Sequence, residues 1–569
     1  MLQRRNFINR TVASLASLGL LSSKEVKSKP LAKTNPSMAG ELSKKPRMMF
    51  YHDGRHPLIY MYEPPMQKEE YESAVDELLG TPIEALMFTM GDGRTVLHDT
   101  QVGELWGHYL KRWSHMIFNR AYKNAKGLIE SGNDPLRVVC ERARKKGLAI
   151  YPVLLVQQGT GKRGEDTRAS EFRLNNRHLE IGSSGGVDSS FPGFHGLDFK
   201  YEEVRDERFA LIEETVNRYP VDGFELQLNY MPYYFRPDEI ETGRSIMTEW
   251  IARVYQAVKK SGQQRELAIR IPASIEGCYS VGLDIQEWIN RGIVDVLIGQ
   301  NFAGPELLDQ MADFRPLVAA AKGSNCRVHA AIHSHIDSDR LSEGTIKMMR
   351  AAACNYWEQG IDGLYFAQWF SNWPYEGSFY EKLREAPYPE VMAPKDKTYF
   401  IPTITNRYSK PRLEPGLSMQ LPVDLKVNQA VHLEMSINDE LHRWQKAGRV
   451  KEVLLRVRIT NSTELDQLNF RLNGKTLSES LLRKINQLYR MTAPRYRINN
   501  SYWFIYRLDR SNWPKKGKNI LAITLTRRDP SVIPQIFVRD VELDIKYLLG
   551  KNFHRGQDPD LGEVESLSG

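Results

Sequence analysis

The stretch Gly223-Phe224-Glu225-Leu226-Gln227-Leu228-Asn229 alternates apolar residues with an acid and two amides. On a β-strand such alternation puts Phe224, Leu226 and Leu228 on one face and Glu225, Gln227 and Asn229 on the other. Val328 to His333 repeats the pattern: Val328, Ala330 and Ile332 share a parity, and His329 and His333 take the other, with His335 beyond. Arg270 stands between Ile269 and Ile271 in a third such run. Polar side chains that share a buried face need a reason. An ion pair between Glu225 and Arg270 is one: it would hold the interior together and would also keep Glu225 ionised for chemistry.

Other polar residues follow the ends of apolar runs. Tyr51, His52, Asp53 and Arg55 follow the first, Asp92 the second, and Gln157 and Gln158 the third. Glu276, Gln300, Asn301, Asp337, Gln368 and Trp369 follow later ones. Amides pair with hydroxyl groups and indoles stack on the apolar faces of sugars, so this set suits a carbohydrate. His333, Ser334 and His335, followed by Asp337, have a spacing that could hold a metal, but the three-ligand pattern of zinc sites is not completed elsewhere. No metal or cofactor is therefore expected. Gly159-Thr160-Gly161-Lys162 lacks the spacing of a phosphate loop and reads as a flexible connection.

The elements that must carry these residues follow from periodicity. Eight short apolar runs can be read as strands: Met48 to His52, Ala85 to Met90, Leu148 to Val156, Gly223 to Asn229, Leu267 to Pro272, Val294 to Asn301, Val328 to His333 and Gly363 to Trp369. Between them, Glu69 to Leu79, Arg205 to Arg218, Thr242 to Lys260, Leu307 to Ala321 and Ser342 to Gln359 space apolar residues as helices do. The fold class expected is α/β, a (β/α)8 TIM barrel, since the repeat closes at eight and no dinucleotide fingerprint is present. Two long insertions, from Gly91 to about Asn133 and from Gln157 to Val204, belong to the face where barrels place substrates. From about Lys395 the texture changes to short alternating strands, among them Val453 to Ile459, Trp503 to Leu508, Ile520 to Thr526 and Phe537 to Tyr547. These predict an all-β sandwich of jelly-roll-like type. The expected organisation is a signal and linker over 1–44, the barrel over 45–392, the sandwich over 393–552 and a disordered tail over 553–569.

The 569 residues carry a net charge of +8, with Lys and Arg scattered and no nucleic-acid-binding signature. Nucleic acid is excluded as a partner, and a mildly basic surface suits acidic or sulfated glycans. Cys140, Cys278, Cys326 and Cys354 are far apart and read as buried free thiols. Arg4-Arg5-Asn6-Phe7-Ile8, followed by an apolar stretch from Val12 to Leu21, resembles a twin-arginine export signal. That places the protein in the periplasm or outside the cell, with no membrane span.

Four stretches resemble the family-ten-like glycosyl-hydrolase-like barrels of planctomycetes and related bacteria: Leu197-Asp198-Phe199 into Glu203-Val204-Arg205-Asp206, Tyr219 to Leu226, Arg270-Ile271-Pro272-Ala273 through Gly282-Leu283-Asp284 to Trp288, and Gly360 to Tyr365. The resemblance implies an exported glycoside hydrolase acting on a poly- or oligosaccharide. Glycosidic hydrolysis uses two carboxyl groups, one a proton donor and the other a nucleophile or base. Glu225 matches the group's pattern and is paired here with Glu276, with Asp92 in reserve. Substrate contact is assigned to Asp53, Gln157, Gln227, Asn229, Arg270, Asn301, His333, Gln368 and Trp369. The group usually closes strand four with Asp where this chain has Gln227, and that departure leaves two alternatives. One is a catalytically impaired carbohydrate-binding barrel. The other is a metal-dependent hydrolase or lyase using His333, His335 and Asp337.

Overall fold

The computed structural model describes residues 45–157, 161–162, 165–300, 307–336, 341, 343–369, 373–403, 419–487 and 501–550. The export signal, the tail, Gln158, Gly159, Thr160, Asn301 and Asp337 lie outside them. Among the described residues no helix is long and apolar enough to cross a membrane.

Eight parallel strands form the barrel: β1 Met48–His52, β2 Ala85–Asp92, β3 Ala149–Leu155, β4 Gly223–Gln227, β5 Glu266–Pro272, β6 Val296–Gln300, β7 Arg327–His333 and β8 Gly363–Ala367. Each pairs with its neighbours in chain order, and β1 pairs with both β2 and β8, so the sheet closes. Closure removes both edges and forces one residue parity inward. Met49, Met87, Tyr151, Val153, Ala268, Ile298, Ala331 and Tyr365 fill the interior in one cluster. The other parity, including Phe224, Leu226, Leu228, Val328, Ala330 and Ile332, joins the helices in a larger core. At Gly223 the interior space that a Cβ would need is taken by the Tyr151 ring.

The expected helix over Leu307–Ala321 is shorter than its periodicity suggests: it runs only over Arg315–Ala321, with a proline in its first turn. Leu308, Ala312 and Phe314 before it are buried in the barrel core, while Gln310 among them makes another contact. Gln310 Nε2 donates to the carbonyls of Met348 and Thr398, and its Oε1 accepts from the amide of Phe400, 2.7 Å away.

That contact joins the barrel to two antiparallel sheets. One carries β9 Lys397–Phe400, β11 Val450–Thr460, β13 Leu482–Gln487, β14 Ser501–Arg507 and β16 Phe537–Tyr547. The other is built on β10 Ala430–Ile437, β12 Gln467–Leu472 and β15 Gly517–Arg527. Their inner faces share one hydrophobic core, with Phe470 and Phe504 ring centroids 5.2 Å apart between the sheets. Alternation is clean on β10, where Leu433, Met435 and Ile437 are buried and His432 is exposed. The seam to the barrel combines apolar packing, with Phe400 in the barrel core and Ala351 in the sandwich core, and polar contacts. Asp439, 4 % exposed, accepts from Lys397 Nζ at 3.0 Å and from the Tyr399 and Tyr547 hydroxyls. Asn355, on the helix Ile346–Trp357, donates to Gln310 and Ser436 carbonyls. All four cysteines are buried, and none is joined in a disulfide among the described residues.

Candidate active site

The interior polar residues form a chain of hydrogen bonds from β4 to β7. Arg270 on β5 contacts Glu225 Oε1 through Nε at 2.7 Å and Nη2 at 2.6 Å, and both side chains are fully buried. The Tyr365 hydroxyl donates to Glu225 Oε2 at 2.8 Å and is itself in contact with Arg270. The guanidinium lies between the Tyr51 and Tyr365 rings, 4.4 and 4.5 Å from their centroids. Burial pushes the Glu225 carboxyl up, against the opposing pull of Arg270 and Tyr365. Both oxygens of Glu225 are therefore engaged within the barrel, as expected of an ion pair that ties strands together.

From Arg270, Nη1 donates to Gln300 Oε1 at 3.4 Å, and Gln300 Nε2 meets His333 Nε2 at 3.1 Å. The arginine fixes the amide's orientation, so the imidazole Nε2 must accept and Nδ1 must carry the proton. Burial, with Arg270 and His335 nearby, pushes His333 down to about 3, which keeps it neutral. Its buried Nδ1–H has no partner among the described residues.

At the carboxyl end of β2 lies a second cluster. Arg55 donates from Nε to Asp53 Oδ1 and from Nη1 to Asp92 Oδ2, each at 2.7 Å. The other oxygen of Asp53 faces His56 Nδ1 at 3.0 Å. Burial alone would raise the Asp53 carboxyl, but Arg55 and His56 more than reverse this and hold it well below the usual carboxylate range. Asp92 is 1 % exposed, and its Oδ1 has no hydrogen-bond partner among the described residues. A fold-back hairpin positions it: Gly91–Asp92 pairs with Thr95–Val96, and the Thr95 hydroxyl donates to the Asp92 carbonyl at 2.9 Å. Gly91 is required there, because a Cβ would run into the Thr95 carbonyl oxygen. From the long connection after β3, Arg168 donates to the Tyr230 hydroxyl at 3.0 Å and feels the Asp92 charge.

Strand register brings Asp92, Leu155 and Gln227 side by side on β2, β3 and β4. Gln227 Oε1 and both side-chain polar atoms of Asn229 are buried without partners among the described residues. Native proteins rarely leave such groups unmet. Here they collect at the carboxyl ends of β2, β4 and β7: acceptors at Asp92 and Gln227, a donor at His333 and both kinds at Asn229. Hydroxyl groups, which donate and accept, complement this set.

Other expected residues lie elsewhere. Gln157 is buried, with Nε2 donating to the Leu197 and Tyr233 carbonyls and Oε1 accepting from the Leu197 amide, so it ties the insertion down. Trp369 is fully buried against Phe366 and Phe379, with Nε1 donating to the Ile332 carbonyl. This places it in the helix-side core, not at a sugar. Glu276 is exposed on the short helix Ile275–Tyr279 beyond β5, whereas Glu225 sits deeper, in register with Ala268. The two are not brought together. Gln368 has the left-handed backbone (φ 53°) at the end of β8, a strain typical of functional sites. Among the described residues no three His, Cys, Asp or Glu side chains converge on a metal position. Sequence reasoning missed His56, Arg168 and Tyr230, which follow no periodic pattern that could have marked them.

No protein-family model matches the sequence, and no curated protein is similar to it. Among solved structures, an α-L-fucosidase isoenzyme 2 from Paenibacillus thiaminolyticus matches with TM-score 0.39 and 12 % identity, over 61 % of this chain and 49 % of that one. The PgaB (BpsB) glycoside hydrolase domain from Bordetella bronchiseptica matches with TM-score 0.38 and 11 % identity, over 61 % and 98 %. A cycloisomaltooligosaccharide glucanotransferase from Paenibacillus sp. matches with TM-score 0.35 and 10 % identity, over 87 % and 57 %. The chain thus spans about half the length of two of these relatives. Similarity of this degree says nothing of substrate or chemistry, which rest on the chain's own residues.

Proposed function

We propose that the barrel mouth binds a carbohydrate chain and hydrolyses its glycosidic bonds, with Asp92 as the reacting carboxylate. The observation that carries this reading is the unpartnered, buried Oδ1 of Asp92, held in place through Oδ2 by Arg55 and set among other unmet polar atoms. Asp53 stays ionised beside it and orients His56, whose side chain is 42 % exposed, as the proton donor to the departing oxygen. Glu225, spent on Arg270 and Tyr365, holds the interior that supports them. The amino-terminal segment is proposed to direct export.

A second reading is binding without turnover. It is favoured by Gln227, an amide two strands from Asp92 at the same level, with Leu155 between them, where a carboxylate would complete a pair. Reducing-end release from neutral, uronic and sulfated polysaccharides decides between them. Asp92→Asn should lower turnover by about 10²–10⁴-fold while retaining binding, and a folded Glu225→Gln should keep turnover. The hydrolytic assignment fails if Asp92→Asn stays fully active, and binding with no turnover on any polymer leaves the second reading.

A further inference from the structure

The outer face of the sheet formed by β10, β15 and β12 carries a groove. On β15 the residues Leu521, Ile523 and Leu525 enter the sandwich core, which leaves Lys518, Ile520, Ala522 and Thr524 facing outward. In the cross-strand row His432, Ala522, Arg471 the middle side chain is a single methyl. The imidazole and the guanidinium on either side therefore stand as walls above the central strand. Asn473 lies beside Ile520, joined by a backbone hydrogen bond of 2.8 Å. The resulting cleft is lined by His432, Arg471, Asn473, Lys515, Lys518 and Ile520, together with small residues.

Three of these carry positive charge, and no carboxylate lines the cleft. Glu434 meets Lys518 at its edge, and that lysine side chain is still 62 % exposed. Arg471 is aimed by its hydrogen bonds to the Gly474 carbonyl, from Nε at 3.2 Å and Nη2 at 2.8 Å. The lining has no Phe, Tyr or Trp, and the His432 imidazole is its single aromatic ring, so the groove lacks the row of broad rings on which successive bases or sugar faces stack. From Lys518 to Ala522 the groove follows four residue steps, about 14 Å at the rise of an antiparallel strand. That is long enough for more than one unit of an extended polymer.

We propose that this groove binds an anionic polysaccharide, sulfated or carboxylated, through Arg471, Lys515 and Lys518. The site is distinct from the barrel mouth and does not depend on hydrolysis there. The test is the affinity of the full chain for heparin, polygalacturonate, dextran and an oligothymidylate, each titrated at low and high salt. Heparin or polygalacturonate should bind more tightly than dextran, weaken with salt, and lose at least about tenfold in affinity in Arg471→Glu/Lys515→Glu, an exposed pair whose charge reversal sets the scale of the loss. An unchanged thermal midpoint in that variant shows that folding is intact. Where it does not fold, Lys515→Ala replaces it and should lose affinity in the same direction. The proposal is overturned by equal binding of dextran, by variants that bind heparin and polygalacturonate as well as the parent, or by tighter, groove-dependent binding of the oligothymidylate.

Discussion

Replacing Arg270 by methionine removes a cation that is wholly enclosed. The guanidinium contacts Glu225 twice, touches Tyr365 and Gln300, and rests between two aromatic rings. Without it, the Glu225 carboxylate keeps only the Tyr365 hydroxyl, in an interior closed to water. Removing one partner of such a pair costs about 3–5 kcal/mol, chiefly from the stranded charge, whereas replacing both partners by apolar residues is often neutral. Urea unfolding followed by the fluorescence of Trp288 and Trp369, both buried in the barrel, should show this loss in Arg270→Met. Most of it should return in Arg270→Met/Glu225→Met. The sign with pH is also set. An unpaired Glu225 in the folded variant has its carboxyl raised further above its unfolded value. The folded variant then binds more protons than the unfolded chain, and the loss shrinks as pH falls from 7 towards 5. A single variant that loses less than about 1 kcal/mol, or a double variant as unstable as the sum of the singles, would refute a buried ion pair.

Three further outcomes are expected. Burial holds His52 and His98 down to about 4 and His333 to about 3 in the folded chain. The unfolded chain therefore takes up more protons below pH 6.5, and stability falls by up to about 1.4 kcal/mol per pH unit for each histidine as pH drops towards 4. Urea midpoints at pH 7, 6 and 5 check this, and a flat profile would contradict it; Asp53, held low, contributes in the same sense only below the ordinary carboxylate range. His98→Phe should make the decline shallower, measured by the same series. Gly91→Ala must push the Thr95–Val96 hairpin away. It should lower turnover by roughly tenfold or more through Asp92, in line with the sensitivity of catalysis to small misplacements, and should also lower the thermal midpoint, because the clash is with backbone.

Much of the barrel was legible because burial on one face imposes strict alternation. The parity of Glu225 and Gln227 against Phe224 and Leu226, and of His329 and His333 against Val328 and Ala330, could be read directly and matches the cores on either side of the sheet. The pairing of Glu225 with Arg270 was equally visible as one of two alternatives. What a linear pattern does not carry is where a side chain goes after its strand ends. Gln157 and Trp369 both follow strands, yet one fastens a loop and the other turns into the helix layer. The Arg55 bridge between Asp53 and Asp92 joins different strands and has no periodicity to announce it. The helix expected from Leu307 begins only at Arg315 for a related reason: Leu308, Ala312 and Phe314 are buried in the barrel core as the spacing asks, but Gln310 and Met311 between them bond to the sandwich.

That seam changes what kind of object the protein is. With Asp439 buried between a lysine and two tyrosines, and Gln310 satisfying backbone groups on both sides, separating the layers would bare an ion pair and several unmet amides at once. Apolar packing of Phe400 into the barrel core and of Ala351 into the sandwich core supplies the adhesion, and the directional bonds fix how the two layers register. Loss of one layer is therefore expected to loosen the other.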